Sequence, residues 1–142
     1  MEKIPSFQNN HDTLAVGLHA QTDANGITTF DLRFKKPNAG DYITPKALHT
    51  IEHLLATVLR NSREKDKIVY FGPMGCRTGF YLLTLRLPYD EVLALLRACI
   101  PVALALEEVP GAKREECGNY LEHDLPAAKK ELAAYLAVLE AL

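Results

Sequence analysis

Cysteine is scarce in this chain and odd in number: Cys76, Cys99 and Cys117. Three cysteines cannot all pair, which argues against a disulfide framework and for reduced thiols or metal ligands. An excess of one charge is also lacking. With 16 basic and 18 acidic residues the net charge is −2, and no basic tract or aromatic-interleaved basic patch marks a nucleic-acid partner. Long apolar runs are missing too. The opening "MEKIPSFQNNHD" has no hydrophobic segment of the secretory kind. The most apolar stretch, 92–106, is interrupted by Arg97 and Pro101 and falls short of the ~20 residues needed to cross a bilayer. A cytoplasmic protein with no membrane or nucleic-acid partner is the expectation. Neither an internal repeat nor a low-complexity linker divides the chain. Its 142 residues, 48% of them hydrophobic, are enough for one domain over 1–142 with its own core.

Residues 13–20 alternate apolar with small or polar positions and suit a strand. Residues 27–34 alternate again, with Phe30, Leu32 and Phe34 on one face and Thr29, Asp31 and Arg33 on the other. Between them "QTDANG" supplies turn residues, Asn25-Gly26 above all. Solvation is the ordinary expectation for an arginine placed as Arg33 is. Thr44 reads as an N-cap with Pro45 at the first helical position. Leu48, Ile51, Leu55 and Val58 then recur at helical spacing, which predicts a helix of about 17 residues. Segments 67–71 and 80–87 read as strands on either side of "GPMGCRTG". Asp90 is placed to cap a helix through Leu106, kinked or broken at Pro101. After the irregular "PGAKREECGNYLEHD", Asp124 and Pro126 open a last helix to Leu142. The order ββαββαα, with its hairpin, predicts an α+β fold in which helices cover an antiparallel sheet.

The stretch "HTIEHLLA" puts polar groups into an otherwise apolar helical pattern. His49 and His53 are four apart and so present two imidazoles to one point, with Glu52 beside them. This is the H-x-x-E-H spacing: two nitrogen ligands for a divalent metal and a carboxylate able to move protons. A third protein ligand is needed if one coordination position is to stay open. Cys117, Glu115, Glu116, His123, His11 and His19 are the candidates. Cys117, in "EECGN", offers a thiolate, whereas a glutamate would suit a metallopeptidase of the same spacing.

A second constellation is "GPMGCRTG". Glycines 72, 75 and 79 with Pro73 make a tight loop that can bring Cys76 close to a ligand. Arg77 would favour the Cys76 thiolate if the fold turned it inward. Cys99, in "LLRACIP", reads as apolar helix filler.

Taken in order, "SF…H", "FDLRF..PN", "HTIEHLLA", "PMGCRTG" and "ECGN" closely resemble the S-ribosylhomocysteine lyase family, from Ser6 to about Leu125. The resemblance implies a two-layer α+β sandwich of the metallohydrolase type, with helices on one face of a mainly antiparallel sheet. It also implies a cytoplasmic homodimer with active sites at the interface. The metal it implies is Fe(II), one per subunit and replaceable by zinc or cobalt, on His49, His53 and Cys117. Glu52 and Cys76 become the acid/base pair. Ser6, His11 and Arg33 match positions that contact the ribose, and Arg60 matches a helix arginine near the pocket. Arg60 also lies two turns after His53, on the metal-facing side of the helix. The chain departs from the family pattern at Tyr70 and Gly72, where many relatives carry aspartate and serine. It also departs in "FKKPN" and in a shortened segment between Arg60 and Ile68.

The reaction so implied cleaves S-ribosylhomocysteine to homocysteine and 4,5-dihydroxypentane-2,3-dione, the autoinducer-2 precursor. The sulfur leaves from a carbon not next to a carbonyl, so the carbonyl must first migrate along the sugar through enediolates. That chemistry needs a Lewis acid and two proton-relaying groups. By donor chemistry alone a four-coordinate His₂Cys site favours zinc. An H-x-x-E-H metallopeptidase and a non-catalytic metal-binding module are the competing readings. The first leaves Cys76 unexplained.

Overall fold

The computed structural model describes residues 1–22 and 25–142. Four strands, β1 (Gly17–Thr22), β2 (Ile27–Arg33), β3 (Ile68–Pro73) and β4 (Gly79–Leu85), form one antiparallel sheet in the order β1-β2-β4-β3. Register sets the two faces. Leu18 opposite Leu32, Phe30 opposite Leu82 and Leu32 opposite Phe80 line the inner face. Asp31 sits between His19 and Tyr81 on the outer one. A one-residue slip would exchange the faces, so the apolar alternation itself fixes the pairing. Gly79 is required where it stands, because a Cβ there would collide with the Leu32 carbonyl of the neighbouring strand.

Helix α2 (Pro45–Arg60) begins as expected: the Thr44 hydroxyl accepts from the Ala47 amide and Pro45 opens the first turn. Its Ala47, Ile51, Leu54, Leu55, Val58 and Leu59 are buried, each larger side chain contributing about 1.5–3 kcal/mol by leaving water. Helices α3 (Tyr89–Leu104) and α4 (Leu125–Glu140) pack with α2 to complete the helical layer. Tyr135 ties α4 to the sheet, stacking on Phe34 at 4.0 Å and donating to the Gly17 carbonyl. Arg97 of α3 donates to the Leu139 and Leu142 carbonyls, satisfying the open end of α4. The α+β class and the layering match the expectation.

Several boundaries differ. The first strand starts at Gly17 rather than 13, since residues 11–13 are a turn in which the Thr13 amide bonds the Asn10 carbonyl. Part of the "QTDANG" turn lies outside the described residues. Pro101 does not break α3: it sits in the last turn, and its own carbonyl still accepts from the Ala105 amide. Pro88, not Asp90, precedes that helix, and Asp90 lies in its first turn where a negative charge favours the helix dipole. A short helix α1 (Pro5–Gln8) and a 3₁₀ turn (Lys65–Lys67) had no sequence expectation. Four residues give too little periodicity to read.

Candidate metal centre and substrate pocket

On α2 the apolar stripe faces the core, which leaves His49, Glu52 and His53 half-buried along one edge. The loop from α3 to α4 folds back over that edge. Its carbonyls hold the two rings: His49 Nδ1 lies 2.8 Å from the Glu122 carbonyl and His53 Nδ1 lies 2.8 Å from the Pro110 carbonyl. A carbonyl can only accept, so both Nδ1 atoms carry the proton and both Nε2 lone pairs face one point. Those Nε2 atoms are 3.1 Å apart, with Cys117 Sγ 3.5 Å from one and 3.8 Å from the other. Tetrahedral bonds of about 2.0–2.1 Å to nitrogen and about 2.3 Å to sulfur separate donors by about 3.3 Å (N···N) and about 3.6 Å (N···S). The donors therefore fit a metal. Two unshared lone pairs that close also repel unless a cation lies between them.

His123 joins the group, and the four ligand atoms lie within 4.8 Å of one another. Its pKa is pushed down from 6.5 to about 4, first by burial and then by the His49 and His53 rings. The other candidate third ligands lie elsewhere. His19, on β1, turns its Nε2 to the Ala15 carbonyl, Glu115 is exposed, and Glu116 accepts from the Lys113 amide.

A second site opens on the sheet. A cavity of about 390 Å³ is lined by Ser6, His11, Arg33, Cys76, Thr78 and Tyr81 among others, bringing together the thiol and three of the four expected substrate contacts. The metal-centre residues are not among its lining. Arg60 lies apart as well, its guanidinium on the Val69 carbonyl at 3.1 Å.

Arg33 corrects the solvation expected for it. It does sit on the outer face, yet it is 1% exposed because Asp31, two residues before it on the same face, pairs with it through Nε and Nη2. Nη1 donates to Thr78 Oγ1 at 2.7 Å, and Thr78 Oγ1 is 3.0 Å from Cys76 Sγ. With its oxygen accepting from Arg33, the Thr78 hydroxyl has its proton free for the sulfur. Through Thr78, the arginine linked to Cys76 is therefore Arg33 and not Arg77. Arg77 itself turns the other way, onto the Ile43 carbonyl and over the Tyr42 ring. Its φ of 62° is a left-handed conformation, costing about 1–2 kcal/mol for a side chain of this kind. Neither Asp31 nor Thr78 was singled out in the sequence, although their places (two residues before Arg33, inside "GCRTG") are the signals that would have found them. Burial raises the Tyr81 pKa, opposed by its hydrogen bond with Ser6. Cys99 is buried filler as expected, its thiol pushed up by burial.

At the departures from the family pattern, the Tyr70 ring lies over Gly72, so that a Cβ at 72 would strike the phenol. The two replacements are therefore one packing unit.

Fold and centre together define an α+β protein of the metal-binding class, with His49, His53, Cys117 and His123 grouped so that they could hold a metal ion. Comparison with known proteins narrows the class. A family model described as S-ribosylhomocysteinase (LuxS) matches residues 4–141. An S-ribosylhomocysteine lyase of Phocaeicola vulgatus is 47% identical over 96% of this chain and 89% of its own length. Those of Porphyromonas gingivalis and Clostridium acetobutylicum are each 46% identical, over 96% and 99% of this chain and 90% and 93% of theirs. The chain belongs to the S-ribosylhomocysteinase family.

Proposed function

We propose that this protein, acting as a single domain over residues 1–142, is a metal-dependent S-ribosylhomocysteine lyase that releases homocysteine and 4,5-dihydroxypentane-2,3-dione. The observation that carries the reading is the pairing of a His49/His53/Cys117 group with a separate thiol pocket in a chain of this family. A metallopeptidase has no use for the second feature. The bound metal, Fe(II) by resemblance with zinc or cobalt as substitutes, supplies Lewis acidity at the sugar oxygens.

The residues' share is proton traffic. Starting from the open-chain aldehyde, the proton on C2 moves to C1 and the carbonyl passes to C2. The same shift from C3 to C2 carries the carbonyl to C3. Removal of the C4 proton then expels the C5 sulfur as the homocysteine thiolate, and the enol left behind becomes the dione. Glu52 on the metal side and Cys76 on the other are groups that can take and return these protons, each worth about 10²–10⁴-fold. Ser6, His11 and Arg33 hold the ribose, and Arg60 serves the pocket near the metal. Tyr70 over Gly72 belongs to the end that receives the amino acid.

The places of the two features support assembly as a homodimer. His49, Glu52 and His53 are on a helix of the inner layer, while the Cys76 pocket takes Arg33 and Tyr81 from the outer face. That face also presents Tyr70 and Leu85 to solvent, 50% and 41% exposed. A homodimer formed through this face covers these side chains and brings the thiol pocket of one protomer to the metal centre of its partner. No helix of the described residues is long and apolar enough to cross a membrane, and we place the enzyme in the cytoplasm, where its thiols stay reduced.

The test is release of a free thiol from S-ribosylhomocysteine, with the metal chelated and then restored as Fe(II). Turnover that disappears and returns supports the lyase. Peptide hydrolysis under the same regime, without thiol release, supports the metallopeptidase instead.

A further inference from the structure

His123 is the one member of the metal group whose role neither the motif nor the proposed reaction uses. Three imidazoles and a thiolate could close a four-coordinate site and leave no position for substrate. Two features of the structure decide against that.

The first is the partner of its Nδ1. His49 and His53 are anchored on carbonyls, whereas His123 Nδ1 lies 2.9 Å from the Thr50 hydroxyl. Thr50 is fully buried, and its oxygen already accepts from the Asp124 amide at 2.9 Å. Among the described residues these are its two hydrogen-bond partners. A buried hydroxyl proton needs an acceptor, and the Asp124 N–H is a donor. The Thr50 proton therefore goes to His123 Nδ1. With Nδ1 accepting, the ring's own proton sits on Nε2, the nitrogen that faces the centre.

The second feature is ring placement. Two imidazoles on one tetrahedral metal hold their ring centres about 5 Å apart, given nitrogen bonds of about 2 Å. His49 and His53 are 4.7 Å apart and nearly perpendicular, whereas His123 stacks on His49 at 4.0 Å and 23°. The stacked pair is too close for both to be ligands. Hydrogen bonding identifies His123 as the one that is not.

We propose that His123 is a positioning residue rather than a ligand. Its Nε2–H, 3.9 Å from Cys117 Sγ, donates to the liganding thiolate, while the Thr50 hydroxyl locks the ring in that tautomer. An N–H on a thiolate draws off negative charge and fixes the sulfur's direction. The fourth coordination position stays open for substrate. The inference rests on the His49/His53/Cys117 centre and not on the lyase reaction, and its test needs no turnover.

In zinc-loaded protein labelled with ¹⁵N-histidine, long-range ¹H–¹⁵N spectra report each ring's tautomer. Two rings should show a protonated Nδ1 and a zinc-bound Nε2. A third, assigned by its loss in His123→Gln, should show a protonated Nε2 and a metal-free Nδ1. A zinc-bound Nε2 on His123 overturns the proposal. With cobalt in place of zinc, His123→Phe keeps a stacking ring and removes the N–H. The thiolate-to-cobalt absorption should then move to longer wavelength while the ligand-field bands keep their tetrahedral intensity and one cobalt still binds per chain. An unmoved charge-transfer band, or loss of stoichiometric binding, contradicts the assignment.

Discussion

The metal centre and the Cys76 pocket are assembled in opposite ways. At the centre, two donors come from one turn of one helix, and a return loop clamps them by its carbonyls. The pocket instead gathers Ser6 from α1, Arg33 from β2, Tyr81 from β4 and Cys76 from a strained loop. No two of those positions are spaced by a single element's period. One helical turn therefore sets two of the donors and the return loop brings the rest, whereas the thiol depends on sheet register and on a buried ion pair. Damage should follow the same division.

The largest effect is expected at the centre. His53→Ala removes a ligand and leaves the Pro110 carbonyl without its donor, so metal content and thiol release should both fall to background. Elemental analysis on the purified variant reads the first directly. Full occupancy in that variant would detach His53 from the ligand set.

Cys76→Ala should lose about 10²–10⁴-fold in turnover while keeping one metal per chain and an unchanged melting temperature. Glu52→Gln should do the same from the other side, since an amide keeps the shape but cannot exchange protons. If Cys76→Ala turned over normally, the pocket would be a packing feature and the lyase reading would fail.

Asp31→Asn sharpens the comparison from the stability side. It strands the buried Arg33 cation, at a cost of about 3–5 kcal/mol, and loosens the Thr78 link to Cys76. Chemical denaturation should show the loss, while metal affinity stays near that of the parent because the centre draws nothing from β2. A variant as stable as the parent would mean that Arg33 finds another partner.

How far each region was legible follows from the same contrast. His49, Glu52 and His53 were readable because four residues make one helical turn, and the Thr44 cap and apolar stripe place that helix. Cys117 lies far along the chain, and spacing alone left it among several third-ligand candidates. Its thiolate chemistry favoured it, and the family resemblance singled it out. His123 stayed undecided because its role turns on which way the Thr50 proton points, a tertiary fact. Arg33 was placed on the correct face but expected in water, since the pattern gives the face and not what covers it. Pro101 reads in the sequence as a kink or a break because its ring forbids an interior hydrogen bond, yet the last turn of a helix tolerates it. Arg77 was the obvious neighbour for Cys76, and the left-handed backbone there sends it toward Ile43 instead.

In the proposed homodimer one chain supplies the metal and its partner supplies the thiol. Co-expressing a His53→Ala chain and a Cys76→Ala chain under two affinity tags allows the heterodimer to be isolated. One of its two sites then has both an intact metal centre and an intact Cys76, and the other has neither. The account predicts that two variants inactive alone give a heterodimer with about half the thiol release of the parent dimer. A heterodimer as inactive as either variant would put the metal and the thiol in the same chain and contradict the account.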